Sequence, residues 1–190
     1  MPNWTQNYVE IRGDETSVAE FKAFVKTKNA NGNGQCFDFN EILPMPDALM
    51  IEAGSTVLWG LDAFANGTKA ILAMKPNARQ MTRQAILNQS AYGQKDWYDW
   101  CTNTWGTKWN ACDAYLSVDT PEYLAYSFNT AWCGPEGIAR AIRNAFPELD
   151  ITWRCLNEDE CSVENKSAPE DSEERWVCVC LDENPNTYEL

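Results

Sequence analysis

No histidine occurs anywhere in the 190 residues. The commonest general base is therefore missing, and with it every Ser-His or Cys-His nucleophile pair. A carboxylate-bound metal hydrolase would survive that absence, but no spacing singles one out. Asp96 and Asp99, at i and i+3, share a helix face and read as its solvated side. The chain is expected not to be an enzyme, and no cofactor or bound metal is expected.

Long apolar runs are also missing. A bilayer span needs about 18 or more consecutive apolar residues, and none is present, so no membrane association is expected. The opening MPNWTQNYVEIRG lacks a basic stretch followed by an apolar one, so it does not read as a secretory signal. The expected location is a cytoplasm, where the eight cysteines are read as thiols rather than disulfides.

Positive charge is scarce, at 15 basic against 28 acidic residues, a net charge of −13. Such a chain is repelled by phosphate backbones, so direct nucleic-acid binding is not expected and basic partners are favoured. The excess is uneven. Residues 157 to 175 hold eight carboxylates against Lys166 and Arg175, six of the thirteen surplus charges. A solvated acidic loop is the bland reading of such a run.

What is present is a mixed pattern of strands and helices. Trp4 to Ile11 alternates as a strand, with Trp4, Gln6, Tyr8 and Glu10 on one side. Ser17, with Glu20 three residues on, predicts a capped helix to about Lys28. Cys36 to Ile42 reads as a second strand closed by Pro44 and Pro46. Helical segments follow over Thr56–Ala65, Ala78–Gln89 and Lys95–Asn103. Strands resume at Ala111–Val118 and Tyr123–Asn129, joined by Asp119-Thr120-Pro121-Glu122. A helix over Pro135–Phe146 and strands over Ile151–Leu156 and Trp176–Leu181 complete the order. The fold class is α+β, an antiparallel-rich sheet with helices on one face. One domain over 1–190 is expected, with a helical insertion at about 47–105 and an acidic loop at about 157–175.

Several short stretches share one pattern: Met1-Pro2-Asn3-Trp4 with Asn7, Phe37-Asp38-Phe39-Asn40, Pro44-Met45-Pro46, Trp97-Tyr98, Trp105-Gly106-Thr107-Lys108-Trp109, and Phe128-Asn129-Thr130-Ala131-Trp132 before Phe146-Pro147. Together they resemble the YubB-like family of conjugative plasmids and phages. The resemblance runs to about residue 147, and the tail from Arg154 departs from it. It implies a ferredoxin-like domain in a mobile-element protein acting inside a bacterial host, and it implies no catalytic residues.

The stretch WYDWCTNTWGTKW at 97–109 concentrates four tryptophans. At helical spacing Trp97, Trp100, Cys101 and Thr104 form one core-facing stripe. The alternative is a ligand pocket in which Trp105, Trp109 and Trp132 stack a base while Lys108 meets a phosphate. Gly106-Thr107-Lys108 is far from a phosphate loop. Cys178 and Cys180 share a strand face and, with Cys155 and Cys161, could supply four thiolates to zinc. Neither pair has zinc-knuckle spacing, so buried thiols are the simpler reading.

The sequence is therefore read as a protein that binds and inhibits or modulates a basic host or defence protein, with nucleic-acid mimicry as its means. Glu158, Asp159, Glu160, Glu170, Asp171, Glu173 and Glu174 are the expected contacts, since aligned carboxylates imitate phosphate spacing and steer association. The alternative is a nucleotide-sequestering protein using the tryptophan pocket.

Overall fold

The computed structural model of the chain describes residues 3–27 and 34–157. Within them the chain forms two compact units, one built from the described residues up to Pro44 and from Trp105 on, and the other from Met45–Thr104.

In the first unit, strand β1 (Trp4–Arg12) follows its alternation, with Thr5, Asn7, Val9 and Ile11 buried. Helix α1 (Glu15–Val25) starts one turn earlier than the Ser17 capping box predicts. Its cap is Asp14, whose Oδ1 accepts from Thr16 N at 3.0 Å and Ser17 N at 3.1 Å. The Ser17 hydroxyl donates to the other carboxylate oxygen at 2.7 Å, so Ser17 orients the cap instead of serving as one.

Cys36–Ile42 is not a strand. Asp38 Oδ1 accepts from Asn40 N at 2.9 Å, and this cap turns Phe39–Ile42 into a single helical turn, α2. The alternation of Phe37 and Phe39 misled because both rings are buried, which a strand and a tight turn achieve equally well. Phe37 stacks on Phe128 and meets Tyr126 and Trp153 edge-on.

Strands β2 (Cys112–Asp119) and β3 (Tyr123–Ala131) form the expected hairpin. Helix α7 (Glu136–Ala145) buries Ile138, Ala139 and Ile142, and β4 (Asp150–Asn157) returns along β1. The sheet order is β2-β3-β1-β4, antiparallel throughout. Each of the two β-α-β crossovers skips one strand, which is the ferredoxin-like arrangement. Phe21 and Phe24 of α1 meet Phe146 edge-on, so one sheet face is covered by helices and carries the core. Among the described residues the other face is left open, with Tyr8 and Tyr115 exposed on it. The expected strand at Trp176–Leu181 lies outside the described residues.

The second unit is helical: α3 (Ser55–Ala65), α4 (Thr68–Ala73), α5 (Pro76–Tyr92) and the short turn α6 (Trp97–Trp100), continued by a π-helical segment at Cys101–Trp105. Pro76 starts α5 and Gly93, in the left-handed region, ends it. Gly60 of α3 sits directly on Thr82 of α5, where a Cβ would lie 1.7 Å from Thr82 Oγ1. The predicted helix at Lys95–Asn103 is thus one α-turn and then a wider π-turn. The stripe it implied is half met: Cys101 is buried, while Trp97, Trp100 and Thr104 are half-buried. Among the described residues no helix is long and apolar enough to cross a membrane.

Candidate functional site

The turn after the π-helical segment is fixed from both sides. The buried Thr107 hydroxyl donates to Ala131 O at 2.9 Å, tying the turn to the end of β3. Gly106 has φ +90°, and a Cβ there would stand 2.9 Å from Glu136 N, so only glycine fits. Trp132 is held at φ +73°, a region that costs a bulky residue roughly 1–3 kcal/mol. Its N–H donates to Asn3 O at 2.9 Å, which helps hold that backbone.

These constraints place the Lys108 ammonium 4.8 Å from the Trp109 ring and 5.0 Å from the Trp132 ring. Trp4 extends the cluster, its ring 5.9 Å from that of Trp109. Trp105 is not part of it. That indole is buried against Phe39 and donates to Leu43 O at 2.9 Å, so it is a core residue and offers no face to a ligand. Of the four residues of the predicted pocket, the structure brings together Lys108, Trp109 and Trp132. It places the cation between the rings and leaves Trp132 46% exposed.

The seven acidic residues expected to make the partner contact, Glu158 to Glu174, lie outside the described residues, as do Cys161, Cys178 and Cys180. Cys155 is buried, and its thiol donates to Asn7 Oδ1 at 3.1 Å. The same oxygen accepts from Trp153 Nε1 at 3.1 Å, while Asn7 Nδ2 donates to Thr130 Oγ1 at 2.9 Å. Cys155 is thus part of a satisfied polar network in the core. Among the described residues no group of three or more Cys, Asp or Glu is placed to hold a metal ion. Asp96 does not face solvent: it is buried, caps α6 by accepting from Asp99 N at 3.0 Å, and lies 3.8 Å from Lys95. Asp99 is ion-paired with Lys95 one turn away. Nothing in the described residues points to catalysis.

Compared with known proteins, the chain matches no family model, and no curated protein matches it. Among solved structures it is similar to the crystal structure of a protein api92 from Yersinia pseudotuberculosis, of family DUF1281. That match has 9% identity over 83% of this chain and 91% of that one, with a TM-score of 0.44.

Sequence reasoning missed a second cluster, on the open sheet face. Glu10 of β1 accepts from the Tyr123 hydroxyl at 3.1 Å. Its other oxygen lies 3.2 Å from Arg12 Nη2 and 3.8 Å from Arg154 Nη2. The Arg12 guanidinium also sits 4.7 Å over the Tyr123 ring. Burial, then the hydrogen bond to Glu10, push the Tyr123 phenol above its ordinary value. The alternation of β1 shows that Tyr8, Glu10 and Arg12 share a face. Only the strand register brings Tyr123 and Arg154 to them.

Proposed function

We propose that this protein is a non-enzymatic binding protein of a mobile element, which occupies a basic patch on a host or defence protein through its acidic surface. Charge segregation carries the reading. Residues 158–190 hold eleven carboxylates against Lys166 and Arg175, which is nine of the thirteen net negative charges. The helical unit, by contrast, is neutral, with five acidic and five basic residues between 45 and 104. A field concentrated in one segment steers a basic partner and fixes its orientation better than the same charge spread evenly.

The test is capture of partners by the tagged protein from bacterial lysate at low and high salt, followed by reversal of Glu158, Asp159, Glu173 and Glu174 to lysine. A basic protein retained at low salt and released at high salt supports the reading, as does its loss on charge reversal. Unchanged capture by the reversed variant removes the acidic segment from the interface.

A second reading is supported by the exposed, backbone-strained Trp132 beside a lysine. It is nucleotide sequestration at Trp109 and Trp132, with Lys108 leaving the indoles to meet the phosphate. Quenching of tryptophan fluorescence by a nucleotide, abolished in Lys108→Ala, would support it; no response across a nucleotide panel would end it.

A further inference from the structure

We propose that the open face of the sheet is a mononucleotide site, with the base laid against Tyr8 and the phosphate taken by Arg154. This is a different site from both readings above and rests on neither.

The floor comes first. β3 carries Ala125 and Ser127 outward, and these small side chains leave a trough of about 450 Å³. Tyr8 and Glu10 of β1, Tyr123 at the start of β3 and Arg154 of β4 line it. Ligand pockets are commonly of this size. Strand pairing sets Ser127 opposite Tyr8 on one side and Tyr115 on the other, and Arg154 opposite Tyr8. One row across four strands therefore reads aromatic, small, aromatic, cation. Tyr8 is 38% exposed and Tyr115 57% exposed, more than a packed sheet face would leave them. Aromatic rings carried on a four-stranded sheet are a means of stacking bases, and stacking needs no particular base.

Charge selects the rest of the ligand. Glu10 lies between the two arginines and Asp150 stands opposite Arg12 across the β1–β4 pair, which leaves Arg154 as the cation to meet an anionic ligand on a chain of −13. Arg154 is under-used within the fold. Its Nε is buried with no hydrogen-bond partner, and its Nη2 stands 3.8 Å from Glu10, beyond hydrogen-bond length. The Arg154 side chain keeps 29% of its surface exposed, so a phosphate oxygen in the trough can meet its guanidinium in a charge-assisted hydrogen bond. The same overall charge repels a polyanion, which is why the ligand is a single nucleotide and not a nucleic-acid strand.

The test uses the intact chain and calorimetric titration at low salt with the four ribonucleoside 5′-monophosphates, inorganic phosphate and a ten-residue single-stranded DNA. One or more monophosphates should bind with one-to-one stoichiometry and more tightly than inorganic phosphate. Arg154→Gln and Tyr8→Leu, both checked for an unchanged circular dichroism spectrum, should each weaken binding roughly tenfold or more. Trp132→Ala should leave it unchanged. The inference is overturned if no monophosphate binds, if DNA binds more tightly than every monophosphate, or if binding survives in both folded sheet variants. It is also overturned if binding is lost in Trp132→Ala, which would move the site to the tryptophan cluster.

Discussion

The Tyr123 hydroxyl donates to Glu10 Oε1 at 3.1 Å, joining residues 113 apart in sequence on two adjacent strands. Burial and the carboxylate both disfavour the phenolate, so this tyrosine ionises above an ordinary phenol in the folded protein. A pKa raised by folding contributes stability that is complete below the unfolded value, near 10, and is lost as pH rises through the folded one. Ultraviolet difference titration should show a tyrosine ionising late, and Glu10→Gln should bring it earlier. A Tyr123 titration unaltered by Glu10→Gln would show that burial alone raises it.

Asn7 is fully buried in the covered sheet face and serves Trp153, Cys155 and Thr130 at once. Asn7→Leu strands the indole N–H and takes one donor from the Thr130 hydroxyl, which keeps its bond to Cys133 O, and a buried unsatisfied group costs about 1–3 kcal/mol. A loss of about 2–4 kcal/mol is expected by urea denaturation, whereas a loss under 1 kcal/mol would mean water replaces the amide.

Close packing of α3 on α5 makes Gly60→Ala an overpacking change, expected to destabilise by about 1–3 kcal/mol. Adding Thr82→Ala removes the nearest atom but leaves a Cβ 2.8 Å away, so partial recovery is expected in the double variant. Additive losses would argue against direct contact.

Lys108 between two indoles should stabilise the 106–132 corner by about 0.5–1 kcal/mol per ring. Lys108→Met should lower the melting temperature and shift tryptophan emission, and Lys108→Arg should restore both. Failure of the arginine variant would assign the effect to the aliphatic stem, not the charge.

The thiols should separate by environment. Burial pushes Cys101 up to about 12, so at pH 8 it stays protonated and shielded. Cys133 is exposed, with its thiol against Gly106 O, and should be the first of the described cysteines alkylated by iodoacetamide. Mapping alkylated peptides over time checks this order. Early labelling of Cys101 would mean that the π-helical segment opens.

Where a segment's pattern had one structural solution, the sequence was readable. β1, the β2-β3 hairpin, α5 and α7 carry clean periods or stop signals, and all four form. Phe37-Asp38-Phe39 fits both a strand and a capped turn, and the choice lies with partners far along the chain: Asn110 Oδ1 accepts from Phe39 N and Asn110 Nδ2 donates to Asp38. The tryptophan cluster was half legible for the same reason. Helical spacing could not tell that Trp105 turns inward while Trp132, 27 residues later, turns outward on a strained backbone.

The sequence by itself determined the absence of histidine chemistry, the acidic character and its concentration beyond residue 157, and the α+β class, because each follows from composition or local period. Tertiary structure alone decided which side chains meet. Glu10, Arg12, Tyr123 and Arg154 become one cluster only when β1 pairs in register with β3 and β4, and a slip of one residue would send Glu10 to the opposite face. That register is set by burying Val9, Ile11, Tyr126 and Trp153 on the covered side, so the hydrophobic face of the sheet fixes what the open face displays.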